Sequence, residues 1–186
     1  YFQPNDRSAR LGTIVSGLPV RPHMTLLAGD QVYLDLPLFE DLPEREPGLS
    51  QWLGDKYRRN WLSTRLGTAG LAPVLERAPA LCIPDDHEFW NNFPFKQAQL
   101  PGTWTPAGRE AWRRAAQALY EDYQQGGAPG TAPAFRRIDV DPLCMLFIDT
   151  RCRRAEDFDA EEGLMPLQAQ QAIEIRMAFD LNSLDR

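Results

Sequence analysis

Short apolar runs that stop on glycine, proline or acidic residues set the layout of the chain. Residues 24–28 carry Met24, Leu26, Leu27 and Ala28 and end at Gly29, and residues 80–84 carry Ala80, Leu81, Cys82 and Ile83 and end on Pro84. Runs of this length bounded by Gly or Pro read as buried strands. Between them Trp52, Leu53, Tyr57, Trp61, Leu62, Leu66, Leu71, Val74 and Leu75 recur at threes and fours, broken near 67–70. That spacing predicts helices over 51–66 and 71–77. Strand, helix, strand in this order predicts a βαβ unit with adjacent parallel strands.

Further along, Ala111, Trp112, Ala115, Ala116, Leu119, Tyr120 and Tyr123 share one helical face, which predicts a helix over 109–123 that stops at Gly126-Gly127. Residues 135–139 and 143–149 predict an antiparallel hairpin about Val140-Asp141-Pro142. The second hairpin strand is expected to join the sheet of the first two. Residues 166–180 are helical by pattern. Residues 37–51, 93–108, 126–133 and 156–162 read as irregular connections, and no internal repeat is present.

A chain of 186 residues fits one domain, and 43% hydrophobic residues suffice for a globular core. The net charge of −6 disfavours a nucleic-acid surface, which wants clustered Lys and Arg. No apolar run reaches the roughly 18 residues of a membrane span. Three cysteines make no disulfide framework. Cys82 and Cys144 read as buried strand residues, and none of the three is expected to bind metal. Cys152, between Arg151 and Arg153, reads as the thiol with the lowered pKa. The odd cysteine count and the lack of a signal-peptide pattern lean towards a reducing, cytoplasmic setting. Tyr1-Phe2-Gln3 resembles the remnant of a cleaved tag and is set aside, leaving 4–186 as a single partial domain.

The chemistry gathers where strands end. Asp30 follows Gly29. Asp85, Asp86, His87 and Glu88 follow Pro84, with Asn91 and Asn92 just beyond, and Asp149 and Arg151 end the last predicted strand. In open α/β sheets ligands sit past the carboxyl ends of strands. Carboxylates, an imidazole and carboxamides there can supply metal ligands and a general acid. The same residues also suit a polar turn with a helix N-cap. His23 starts its strand, about a strand length of 17 Å from the loop end, and reads as a surface residue.

Three segments together resemble the alkaline phosphatase D-like branch of the calcineurin-type metallophosphoesterases: Gly29-Asp30-Gln31-Val32-Tyr33, Asp85-Asp86-His87-Glu88 with Asn91-Asn92, and Asp149-Thr150-Arg151. The resemblance spans roughly residues 22–180. It implies an α/β fold, a four-layer α/β/β/α sandwich incomplete on its C-terminal side, and metal-dependent hydrolysis of a small phosphoester. It implies Asp30 as a bridging metal ligand, Asp86 and Asn91 as further metal ligands, His87 as the group that meets phosphate or protonates the leaving group, and Arg151 as a phosphate contact. Tyr33, Asp85, Asn92 and Asp149 fall to substrate or supporting positions. The implied cofactors are two metal ions drawn from Ca, Mn, Mg or Fe. The chain departs from the family pattern in lacking an early Asp or Cys ligand and the downstream Gly-Asp-x-His segment. A non-catalytic α/β module, a degenerate relative that binds a partner, is therefore the competing expectation. Its partner surface would be residues 37–51 and 93–108 with the aromatics Phe89, Trp90, Phe93, Phe95 and Trp104.

Overall fold

The computed structural model describes residues 11–37, 42–43, 47–62, 71–126, 135–152 and 154. The expected helix over 166–180, the acidic loop at 156–162 and most of the 126–133 linker lie outside these residues.

The chain is mixed α/β. In order come α1 (Leu11–Ser16), β1 (Thr25–Ala28), α2 (Gly48–Trp61), α3 (Ala72–Leu75), β2 (Ala80–Ile83), α4 (Pro106–Tyr120), β3 (Phe135–Val140) and β4 (Leu143–Ile148). β1 and β2 pair in parallel, with Thr25 opposite Ala80 and Ala28 opposite Ile83, as the βαβ spacing predicts. The two strands therefore end level, and their following loops start side by side.

α2 buries Leu49, Leu53, Tyr57 and Trp61, one residue every four. This is the periodicity that places one stripe of a helix against a core. It meets the apolar face of α4, where Trp112, Ala115, Ala116 and Tyr120 are buried. The Tyr57 ring stacks on Tyr123 at 5.0 Å between centroids. Both helices start three residues before their predicted bounds. At α4 the reason is chemical: Thr105 Oγ1 accepts the Gly108 N–H at 3.0 Å, and Pro106 takes a first-turn position that needs no donor. The α4 helix passes into a π-helical turn over Glu121–Gln125, and Gly126 ends it at φ 63°, a left-handed conformation that glycine adopts freely.

One topological expectation is corrected. β4 does not join the β1–β2 sheet; β3 and β4 form their own antiparallel pair, in register from Phe135 opposite Ile148 to Val140 opposite Leu143. The two-residue link at Asp141-Pro142 lets the strands satisfy each other locally. On the β2 side the Cys82 carbonyl is taken by side chains instead of a strand: Gln125 Nε2 donates at 2.9 Å and Tyr120 OH at 3.4 Å.

The cysteines also differ from expectation. Cys82 is buried, but Cys144 is exposed, because a two-stranded hairpin leaves one face open. Cys152 is not an activated thiol. Burial pushes its pKa well up, and the neighbouring Asp149 carboxylate adds to the rise. Among the described residues no helix is long and apolar enough to cross a membrane.

Candidate metal centre

The site is built where β1 and β2 end. Gly29 has φ 100° and Asp30 φ 60°, so the backbone turns through the left-handed region twice in succession. Glycine does this without strain, and Asp tolerates it better than most residues. A Cβ on Gly29 would lie 2.5 Å from Asp85 Cβ and 2.9 Å from Asp85 N. The bare glycine thus lets the Asp30 and Asp85–Asp86 segments approach closely. Gly29→Ala is expected to destabilise the fold by about 3 kcal/mol, from the left-handed backbone and the overlap together. It should also weaken divalent-metal binding, both effects being read by thermal unfolding with and without added metal. A variant with wild-type stability would show that this approach is not required.

Glu88 fastens the two loops together. It is fully buried. Its Oε2 accepts the backbone N–H of Asp30 at 3.0 Å and of Asp85 at 2.9 Å, and its Oε1 accepts those of Gln31 at 2.7 Å and Val32 at 3.4 Å. Burial raises its pKa, and the four backbone donors pull in the other direction. The short 3-10 turn Asp86–Glu88 follows from this anchoring.

The turn projects Asp86 and His87 towards Asp30. One ligand atom from each of Asp30, Asp86 and His87 lies within 4.8 Å of the other two, a spacing that can hold one metal ion. Asp30 Oδ1 is buried and has no hydrogen-bond partner among the described residues. A buried carboxylate oxygen left bare is costly unless a cation or a donor meets it. The two carboxylates therefore fit a divalent cation, with the His87 imidazole beside them.

The surrounding groups hold this cluster in place. Tyr33 OH donates to Asp30 Oδ2 at 3.2 Å, and its ring stacks on the His87 ring at 4.1 Å. Burial, with Asp30 next, pushes the Tyr33 pKa up to about 12, so the phenol stays a donor. Asp35 is buried; its Oδ1 pairs with His87 Nδ1 at 2.8 Å and its Oδ2 accepts the Asn91 N–H at 2.8 Å. Burial lowers the His87 pKa, but the hydrogen bond and charge of Asp35, with Asp30 and Asp86, outweigh it and leave it raised. With Nδ1 committed to Asp35, the outward nitrogen is Nε2.

The expected site residues thus separate into three sets. Asp30, Asp86 and His87 converge. Tyr33 lies against two of them, and Asn92 supports Asp86 by donating its backbone N–H to Oδ2 at 2.6 Å. Asn91 enters through its backbone, and its carboxamide makes no hydrogen bond to another described residue. Asp149 shapes the neighbouring turn, where its Oδ1 accepts the N–H groups of Arg151 and Cys152 at 2.8 and 2.9 Å. Arg151 reaches the cluster's edge by pairing with Asp85 Oδ1 at 2.5 Å. His23 is exposed and outside the cluster, as expected.

Two residues at the site carry no assigned role in the sequence reading. Asp35 stood next to an apolar run with no role assigned; a carboxylate beside Val32 and Leu34 was the available signal. Glu88 stood three residues after Asp85, the spacing of a capping box, which the turn indeed forms. The aromatic expectation is overturned. Phe89, Trp90 and Phe93 are at most 1% exposed and Phe95 is half-buried, leaving Trp104 as the one exposed member of that set, at 51%. Trp112 of α4 covers the loop and donates its indole N–H to the Phe89 carbonyl at 2.9 Å. These rings are core, and they do not form a partner surface. Comparison with protein-family profiles, curated proteins and solved structures finds no match for this chain.

Proposed function

We propose that the chain is a metal-dependent hydrolase of phosphate esters. The observation that carries this reading is the meeting of Asp30, Asp86 and His87 within 4.8 Å at two level parallel strand ends, with one Asp30 oxygen buried and bare. The resemblance of the three strand-end motifs to alkaline phosphatase D-like enzymes supplies the reaction class, and with it the four-layer sandwich and a two-metal centre of Ca, Mn, Mg or Fe.

In this reading Asp30, Asp86 and Asn91 would hold the metals. When bound, such a centre would bind phosphate oxygens and lower the pKa of a coordinated water. The protein's own groups do the rest. Asp35 and the Tyr33 ring fix the His87 imidazole so that Nε2 faces the substrate and delivers a proton to the leaving oxygen. Glu88 and Gly29 keep the two loops close enough for Asp30 and Asp86 to converge.

Asp30→Asn tests the reading. Neutralising this carboxylate would remove negative charge from the set that would hold the metals. The variant should lose both bound metal and turnover of an aryl phosphate ester, read by elemental analysis beside a hydrolysis assay. Wild-type protein that takes up no divalent metal and turns over no phosphoester would reject the proposal.

A further inference from the structure

Exposed aliphatic side chains gather around α1. Leu11 and Ile14, three apart on the helix, are exposed, Ile14 at 62%. Leu18 and Val20 just beyond it are exposed too, Val20 at 75%. The helix packs inward through Gly12 and Val15 instead. The Leu18 N–H donates to the Val15 carbonyl at 3.2 Å, which keeps the following turn close to the helix end.

Two guanidinium groups border that turn. Arg77 donates from Nη2 to the Leu18 carbonyl at 3.0 Å, and Arg21 donates from Nε to the Arg77 carbonyl at 2.5 Å. Among the described residues no carboxylate forms an ion pair with either arginine, Glu76 beside Arg77 included. The charge pattern of the chain points the same way. Residues 7–29 hold Arg7, Arg10 and Arg21 and no Asp or Glu, in a chain whose net charge is −6. Protruding aliphatic groups with cations at their rim complement a surface that is anionic outside and apolar beneath.

We propose that α1 and the Leu18–Arg21 turn dock on an anionic lipid surface, lying on it without crossing it. The charges select an anionic partner, and the side chains select lipid over protein. A stable protein interface enlists about 20–30 residues a side, and its energy centres on Trp, Tyr and Arg anchors, with Leu and Val under-represented. Four aliphatic side chains standing out on a helix and turn suit a fluid acyl layer better than a shaped protein pocket. Arg21 and Arg77 precede β1 and β2, whereas Asp30 and Asp86 follow them, so docking here leaves the metal cluster at the far end of the sheet. The inference is therefore independent of the phosphoesterase reading.

Co-sedimentation of the full chain with vesicles tests it. The chain is expected to bind vesicles of mixed phosphatidylcholine and phosphatidylserine roughly tenfold or more tightly than phosphatidylcholine alone, and added salt should release it. Ile14→Ser combined with Val20→Ser should weaken that binding roughly tenfold or more. Both side chains are largely exposed, so circular dichroism and the unfolding midpoint should match wild type. Arg21→Gln should weaken binding about fivefold. Leu143→Ser, equally exposed but on the β3–β4 hairpin, should change nothing. No binding to the mixed vesicles, equal binding to both kinds, or binding that the double variant leaves intact overturns the proposal. Self-association in sedimentation velocity that the double variant abolishes, without vesicle binding, would make the face a contact between copies and overturn it. Binding of soluble polyglutamate without vesicle binding would assign the face to an acidic protein and overturn it as well.

Discussion

Glu88→Gln is expected to lower the unfolding free energy by about 3–5 kcal/mol and to abolish tight metal binding, although residue 88 does not itself face the cation. Each carboxylate oxygen of Glu88 serves two backbone donors, Oε2 those of Asp30 and Asp85, Oε1 those of Gln31 and Val32. Glutamine has one acceptor oxygen. It can keep one of those pairs, and it turns its NH2 group towards the other two donors. Two buried N–H groups are then left unmet, each costing about 1–3 kcal/mol. Glu88→Asp keeps the charge but is one methylene too short to reach both loops. The loops would separate, and Asp30 and Asp86 would no longer converge. For a chain of this size the loss corresponds to a fall in Tm of about 10 °C or more. Urea unfolding followed by circular dichroism, beside calorimetric metal titration, makes the measurement. A Glu88→Gln protein within about 1 kcal/mol of wild type would mean that the clamp is not what joins the loops.

Much of this arrangement is readable along the chain, because the determining contacts are local or periodic. Gly29 and Pro84 stop their strands at equivalent points, and parallel register then sets Asp30 beside Asp85 and Asp86. The α2 and α4 stripes follow from spacing alone. What is not readable depends on contacts between distant segments. Asp35 and His87 are 52 positions apart, and nothing near Asp35 reveals that an imidazole will meet it. Phe89, Trp90 and Phe93 read as exposed in a loop rich in Pro and Gly, yet α4 lies over them through Trp112. The fate of β4 turns on competition for one edge. A local hairpin partner and the side chains of Tyr120 and Gln125 at Cys82 leave it a sheet of its own. Glu88 is the intermediate case: its capping-box spacing was visible, while three of its four donors come from the other loop.

His87→Ala is expected to retain metal and to lower turnover of an aryl phosphate by about 10²–10⁴-fold, the usual loss when a positioned acid is removed. Asp35→Asn should lower kcat less, with little change in KM, because Asp35 acts only through His87. Asp35 holds Nδ1 at 2.8 Å and takes the Asn91 N–H with its other oxygen. An amide there offers no second acceptor and no charge. The ring is then held by Tyr33 stacking alone, and its Nε2 proton is no longer favoured. The pair also has a signature that requires no substrate. In the chelated protein the His87 pKa lies above its ordinary 6.5, burial being outweighed by Asp35, Asp30 and Asp86. A histidine raised on folding contributes stability that is complete below the unfolded value and disappears as pH climbs through the folded one. Unfolding free energies of chelated wild type should therefore decline from about pH 6 upwards, and Asp35→Asn should flatten that decline while lowering stability by about 2–4 kcal/mol at its acid end. Equal slopes in the two proteins would show that the His87–Asp35 pair carries no such coupling. Loss of metal in His87→Ala would place Nε2 on the cation and move the leaving-group proton to another donor.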